Sequence, residues 1–255
     1  MNIKNNKKIK LKLIKNFTNN YTWILYKKNN CVIVDPGEYK KILHIIKLYK
    51  LYPKLILLTH YHYDHMMAVN SLLSIWPKIK IISPKNIYYI NKKEQINFFY
   101  ILKEKIFGKS IKIINTPGHA LYHVCYYISN YLFCGDLLFN SGCGKIYNNL
   151  YYEMYKSIQK IKSLPQNTLI CCGHDYIKYN LIFTMKIIPN DKFVKNFYKK
   201  IKKSNKETIN SLKIEKKINL FLKTSNFYLR KQLSKKEILK PFECFCLLRK
   251  MRNVF

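Results

Sequence analysis

Acidic residues are scarce. The chain has 13 Asp and Glu against 47 Lys and Arg in 255 residues, a formal net charge of +34, and the first acid is Asp35. So basic a chain fits either an electrostatic footprint for nucleic acid or an anionic surface, or compositional drift under A/T-rich coding. Lys, Asn, Ile and Tyr crowd every segment and the charge is not gathered in one block. Drift is the better reading, with attraction of anionic small molecules as a by-product. Long apolar runs are missing, which excludes a membrane span. The Lys- and Asn-rich first 20 residues lack the apolar core of a signal peptide and the Arg and Ser of a transit peptide. Cys-x-x-Cys pairs are also missing. Cys171-Cys172 and Cys244-x-Cys246 sit too close together for a metal pair or a disulfide framework, so a reduced cytoplasmic chain is expected. What is present is a hydrophobic content of 48%, ample for a core. The length allows one large domain, or one with an appendage.

The most informative stretch is Thr59-His60-Tyr61-His62-Tyr63-Asp64-His65, directly after the apolar run Leu55-Ile56-Leu57-Leu58. Three of the chain's 7 His fall here. The run reads as a buried strand and the His/Asp cluster as the loop leaving it, where sites form in open α/β sheets. Imidazole with carboxylate suits zinc, iron or manganese.

Residues 21–25 and 31–34 read as a hairpin closed by Asp35-Pro36-Gly37. Asp35 is either a turn residue or a partner that steadies a ligand loop. Helices are expected at 42–48 and 66–75, the latter with Met67, Leu72 and Ile75 facing the core, then a strand at 79–82. Residues 86–108 read as a helix and connection. A strand at 111–114 leads to Thr116-Pro117-Gly118-His119. A second hairpin, 124–128 with 131–134, leads to Gly135-Asp136 and the Gly-rich loop Ser141-Gly142-Cys143-Gly144-Lys145-Ile146-Tyr147. An amphipathic helix at 152–164 precedes the strand 169–172, which delivers Gly173-His174-Asp175-Tyr176. His123 is expected at most to support a ligand.

The ligand inventory is therefore His60, His62, Asp64, His65, His119, Asp136 and His174. Seven candidates exceed the need of one tetrahedral ion, whereas two ions sharing a carboxylate account for all of them. Such a pair activates water and polarises the bond it attacks, which is hydrolytic chemistry with no Ser or Cys nucleophile required.

The order of THYHYDH, TPGHALYH, CGD and CGHDY resembles the metallo-β-lactamase superfamily. TPGHALYHVCY, LFNSGCGKIY and CGHDY are more narrowly similar to glyoxalase II, the hydroxyacylglutathione hydrolases, from about Tyr21 to the C-terminus. The resemblance implies an α/β fold, the αβ/βα four-layer sandwich, as a catalytic domain at 1–176, with a small helical domain at 177–255. It implies one metal on His60, His62 and His119, another on Asp64, His65 and His174, and Asp136 with a hydroxide bridging them. The metals implied are two divalent ions, zinc first, with iron or manganese as alternatives. The reaction implied is hydrolysis of S-D-lactoylglutathione to D-lactate and glutathione. Lys145, Tyr147 and Tyr176 are implied glutathione contacts, together with the final basic group Arg249, Lys250 and Arg252. The chain departs from the family in carrying Asp175 where Glu is usual, and Leu121 and Tyr122 where small polar residues are usual.

From 177 onward the pattern turns helical, at 181–187, 193–201 and 209–221. Pro241 suits the first turn of a last helix, with Phe242, Phe245, Leu248 and Met251 toward the core. Arg249 and Arg252, three apart, share a face; the alternative for them is a solvated helix end favoured by the dipole. Two other activities fit parts of the pattern. A metal-dependent RNA-processing nuclease would suit the charge, but no long inserted arm is present. A mono-iron persulfide dioxygenase would leave Asp64, His65 and His174 surplus. The expected partner is a small glutathione thioester, with no specific nucleic acid, no membrane and a monomeric state.

Overall fold

The computed structural model describes residues 8–16, 19–84, 105–204, 207–234 and 237–255. They form two compact units. One comprises the described residues among 8–115, with 122–129 and 133–135, and the other 116–121, 130–132 and the described residues from 136 onward.

The first unit holds a five-stranded sheet in the order β1 (Lys10–Lys15), β2 (Tyr21–Lys27), β3 (Asn30–Val34), β4 (Tyr52–Leu57), β5 (Lys80–Ile82). Strands β1, β2 and β3 pair antiparallel; β3, β4 and β5 pair parallel. Parallel neighbours need crossovers, here α1 (Tyr39–Leu48) and α2 (Val69–Ile75). Cross-strand register aligns Ile24, Ile33, Ile56 and Ile81 in one buried row. That row packs with Ile42, Ile46, Val69 and Leu72 of the two helices. The next row, Trp23, Val34, Leu57 and Ile82, points to the opposite face and is buried as well. Burial on both faces explains why β4 reads as a continuous apolar run rather than an alternating one.

The expected helix at 66–75 is shorter. A 3-10 turn at Tyr63–His65 precedes it and α2 begins at Val69. Leu72 is fully buried, but Met67 and Ile75 are 47% and 42% exposed, so these two are not core contacts. Strand β1 was not expected from the sequence. Its alternating Lys side chains blunt the outer edge of the sheet. Of the stretch expected as a helix and connection, residues 86–104 lie outside the described residues, and Lys105–Ile106 forms a short strand, β6.

In the first unit β6, β7 (Lys109–Asn115) and β8 (Val124–Ile128) form a second sheet in that order, and the chain goes on to the strands β9 (Tyr131–Gly135) and, in the second unit, β12 (Leu169–Cys172). In the first unit the buried Tyr126 hydroxyl donates to Leu58 O at 2.7 Å, which fixes the end of β4 where the ligand loop begins.

The second unit adds the hairpin β10 (Leu138–Phe139) and β11 (Gly142–Cys143), then α3 (Tyr151–Lys162), which buries Met154, Ile158 and Ile161. The rest is helical: α4 (Ile177–Ile187), α5 (Lys192–Lys203), α6 (Leu212–Ile218), α7 (Phe227–Leu233) and α8 (Pro241–Asn253). Ile177, Leu181, Val194, Ile201 and Ile218 form its local core. Asp191 caps α5 by accepting from Val194 N at 3.0 Å. Pro241 opens α8, and Phe245 and Leu248 are fully buried. Phe242 and Met251 are half-buried. No helix of the described residues is long and apolar enough to cross a membrane.

Candidate active site

In the first unit the site starts from Asp35, at the end of β3. Its backbone is left-handed, φ +50°, a conformation Asp tolerates better than most residues. The carboxylate is buried and serves three donors. Oδ1 accepts from Thr59 N at 2.8 Å; Oδ2 accepts from Thr59 Oγ1 at 2.8 Å and from His65 Nδ1 at 3.1 Å. One side chain thus ties the ends of two parallel strands and orients a ligand of the loop. The Thr59 hydroxyl, having donated to Asp35, accepts from His60 Nδ1 at 3.0 Å. Both imidazoles then carry their proton on Nδ1 and present Nε2 as a lone pair, the tautomer a metal requires. The rings of His60 and His62 are 4.6 Å apart and those of His60 and His65 4.3 Å. Asp64 Oδ2 lies 3.6 Å from His65 Nε2. His123, also buried, stacks on His60 at 5.2 Å. Gly135 sits beneath this pair with φ +44°, and a Cβ there would collide with the Thr59 hydroxyl and lie 3.1 Å from His123 Nε2.

In the second unit His119 Nδ1 donates to Lys145 O at 2.8 Å, again leaving Nε2 available. That Nε2 is 3.6 Å from Asp136 Oδ2, and His174 Nε2 is 3.4 Å from the same oxygen. Gly144 packs so closely on the Asp136 carbonyl that no Cβ fits between them. These N···O separations, and that of Asp64 and His65, are too long for good hydrogen bonds. They match the roughly 3.3–3.6 Å between two donors on one tetrahedral ion at about 2.0–2.2 Å. Imidazole and carboxylate donors at such separations suit a divalent metal. No thiol competes as a nucleophile: none of the eight Cys is in a disulfide, seven are buried, and burial pushes the Cys31 and Cys172 thiols up to about 12.

Residues 16–174 match the family model described as the metallo-beta-lactamase superfamily, and residues 175–255 match the hydroxyacylglutathione hydrolase C-terminus. A hydroxyacylglutathione hydrolase of Buchnera aphidicola subsp. Acyrthosiphon pisum is 42% identical, over 94% of this chain and 96% of that protein. One of Salmonella paratyphi A is 38% identical, over 94% and 97%. The chain belongs to the hydroxyacylglutathione hydrolase family. Among solved structures it resembles the BLEG-1 B3 metallo-beta-lactamase, with TM-score 0.63, 21% identity and coverage of 84% of this chain and 99% of that one. It also resembles ETHE1 from Myxococcus xanthus, with TM-score 0.60, 17% identity and coverage of 96% and 99%. Both likenesses speak for the metallo-β-lactamase fold.

In this hydroxyacylglutathione hydrolase family member the residues expected to meet glutathione all fall in the second unit, in differing situations. Lys145 Nζ stands 5.2 Å from the centroid of the Tyr147 ring, which lies 5.5 Å from His119. Tyr176 stacks on His174 at 5.1 Å and meets Phe139 edge-on. Lys250 is exposed, and Arg252 is half-buried with Nε donating to Asn180 Oδ1 at 3.3 Å. Burial and the neighbouring Arg249 push the Arg252 pKa down. Arg249 does not form a solvated helix end. It is 5% exposed and donates through Nη1 to Cys143 O at 2.8 Å and through Nε to Asn253 at 3.1 Å.

Glu215 on α6 escaped sequence reading. It is fully buried and accepts from Ser141 N at 2.8 Å, Asn210 Nδ2 at 2.7 Å and Asn219 Nδ2 at 3.2 Å. The only signal was an acid at a core-facing position of a helix. Burial raises its pKa from 4.5 to about 7 in spite of these donors. The folded protein therefore holds this proton more tightly than the unfolded chain does, and the group's contribution to stability falls as pH rises from about 4.5 to 7. Wild-type stability minus that of Glu215→Gln, measured by urea unfolding, should drop by about 3 kcal/mol across that window and stay flat above it. A difference independent of pH would show that Glu215 does not titrate there.

Proposed function

We propose that this protein hydrolyses S-D-lactoylglutathione to D-lactate and glutathione, the second step of methylglyoxal detoxification. The observation that carries the reading is identity of about 40% to hydroxyacylglutathione hydrolases along nearly the whole chain, including the C-terminal region. In this reading residues 1–176 form the catalytic domain and 177–255 the helical one. His60, His62 and His119 would hold one divalent ion, zinc in the first instance. Asp64, His65 and His174 would hold a second, with Asp136 shared. Such ions lower the pKa of bound water and polarise the acyl carbonyl. The chain's own residues set the protonation of each imidazole, as described for Asp35, Thr59 and Lys145. Lys145, Tyr147, Tyr176, Lys250 and Arg252 would receive the glutathione peptide, and Arg249 would hold the loop that carries Lys145. The absence of disulfides among the eight Cys supports a reducing, cytoplasmic setting, and a monomer suffices.

The test is turnover of S-D-lactoylglutathione by metal-loaded protein, beside a precursor transfer RNA. Thioester hydrolysis with weak, salt-sensitive RNA binding is expected. Cleavage of the RNA at a defined position without thioesterase activity would replace this reading with the nuclease. The anchor is tested by Arg252→Ala. A charge-assisted hydrogen bond contributes about 1.5–3 kcal/mol, so kcat/KM should fall roughly ten- to a hundred-fold, mostly through KM. A thioester lacking the glutathione carboxylates should be hydrolysed equally by wild type and variant. Equal losses on both substrates would make Arg252 structural.

A further inference from the structure

The hairpin turn between β10 and β11 is held by side chains and backbone carbonyls from later in the chain. Asn140 O accepts from Asn180 Nδ2 at 3.0 Å. Ser141, at φ +61°, gives its N–H to Glu215 at 2.8 Å and its hydroxyl to Ile218 O at 3.0 Å. Phe139 O and Gly142 O face each other across the hairpin, and both accept from Asn219 Nδ2, at 3.2 and 2.9 Å. Glu215 is the hub, because it orients Asn219 and Asn210 and holds the Ser141 amide directly. All three of these donors are neutral. A buried carboxylate without a cation is costly, and the cost is concentrated behind one turn. Three and four residues beyond that turn come Gly144, packed on the Asp136 carbonyl, and Lys145, whose carbonyl orients His119.

We infer that Glu215, with Asn219, is a positioning residue for the substrate loop: it fixes residues 139–142 and through them the placement of Lys145 toward the glutathione end of the thioester. This rests on the thioesterase reading above. Without the hub the turn is free to shift, and Lys145 loses its fixed relation to the reacting bond. The cost then falls on substrate binding more than on the chemical step.

The experiment compares metal-loaded wild type, Glu215→Gln, Glu215→Ala and Asn219→Ala. Substrates are S-D-lactoylglutathione and a thioester lacking the glutathione carboxylates, with metal content measured in each preparation. Glu215→Gln can keep its partners if the Asn210 amide turns over, so its KM should stay within about two-fold of wild type. Glu215→Ala and Asn219→Ala should raise KM for the glutathione thioester about ten-fold or more, change kcat by less than about three-fold and leave KM for the truncated thioester unaltered. Metal content should hold in all four proteins. Asn219→Ala keeps two of the carboxylate's three donors, so it carries the test if Glu215→Ala does not fold. Variants that lose thermal stability while KM for both thioesters stays at the wild-type value would overturn the positioning role. A wild type inert toward S-D-lactoylglutathione fails the functional reading, and this inference with it; an active wild type with unshifted variants fails this inference alone.

Discussion

Asp136→Ala is expected to abolish activity, lowering kcat/KM by about 10³-fold or more, and to release metal from the purified protein. Asp136 Oδ2 lies 3.4 Å from His174 Nε2 and 3.6 Å from His119 Nε2. Two divalent ions held about 3.5–4 Å apart repel each other by on the order of 20 kcal/mol at an effective dielectric of about 20. A shared carboxylate offsets much of that repulsion, and alanine offers nothing in its place. The backbone contact with Gly144 does not depend on the side chain, so the variant should fold. Metal analysis beside a thermal melt separates the two effects. Wild-type activity from Asp136→Ala, or from a preparation with one ion per chain, would reject the bridged pair.

The parts of this protein legible in its sequence are those where one local pattern decides the outcome. The Leu55 run is apolar throughout because both faces of β4 are covered, and the cluster after it falls at a strand end because the run stops there. Asp35 was undecided as a sequence feature, since turns and buried carboxylates both favour Asp; its three donors come from residues 24 and 30 positions away. Helix α2 was overextended because Met67 and Ile75 match an apolar face in period, while the 3-10 turn at the ligand loop shifts where that face begins. Strand β1 hid in a Lys-rich stretch, where charge on an exposed edge looks like the charge everywhere else in a +34 chain. Arg249 and Glu215 show the limit most clearly. Nothing local distinguishes a basic residue that reaches back 106 positions to Cys143 O from one that meets solvent. Likewise, nothing local marks an acid whose donors lie at 141, 210 and 219.

Asp35→Asn tests whether the first unit's ligands depend on a carboxylate outside the metal shell. Asn tolerates the left-handed backbone at φ +50°, so strain is not introduced and the change isolates the chemistry. In wild type the two oxygens accept from Thr59 N, Thr59 Oγ1 and His65 Nδ1. With Asn, one oxygen still accepts from Thr59 N, and the new amide group then faces Thr59 Oγ1 and His65 Nδ1 as a donor. His65 can satisfy it only by moving its proton to Nε2, the nitrogen that faces Asp64 at 3.6 Å. A protonated Nε2 cannot bind a metal. The Thr59 hydroxyl, now an acceptor, must donate elsewhere, and it loses the geometry that sets His60. Metal affinity should fall about 10- to 100-fold, first at the site proposed for Asp64, His65 and His174, with kcat falling in parallel at limiting metal and partly recovering at high metal. Without metal, stability should fall by about 1–3 kcal/mol, because buried groups are left mispaired. Chelator competition gives the affinities, and imidazole ¹⁵N shifts give the tautomer of His65 directly. An unchanged tautomer and unchanged affinity would mean that Asp35 only closes the turn after β3.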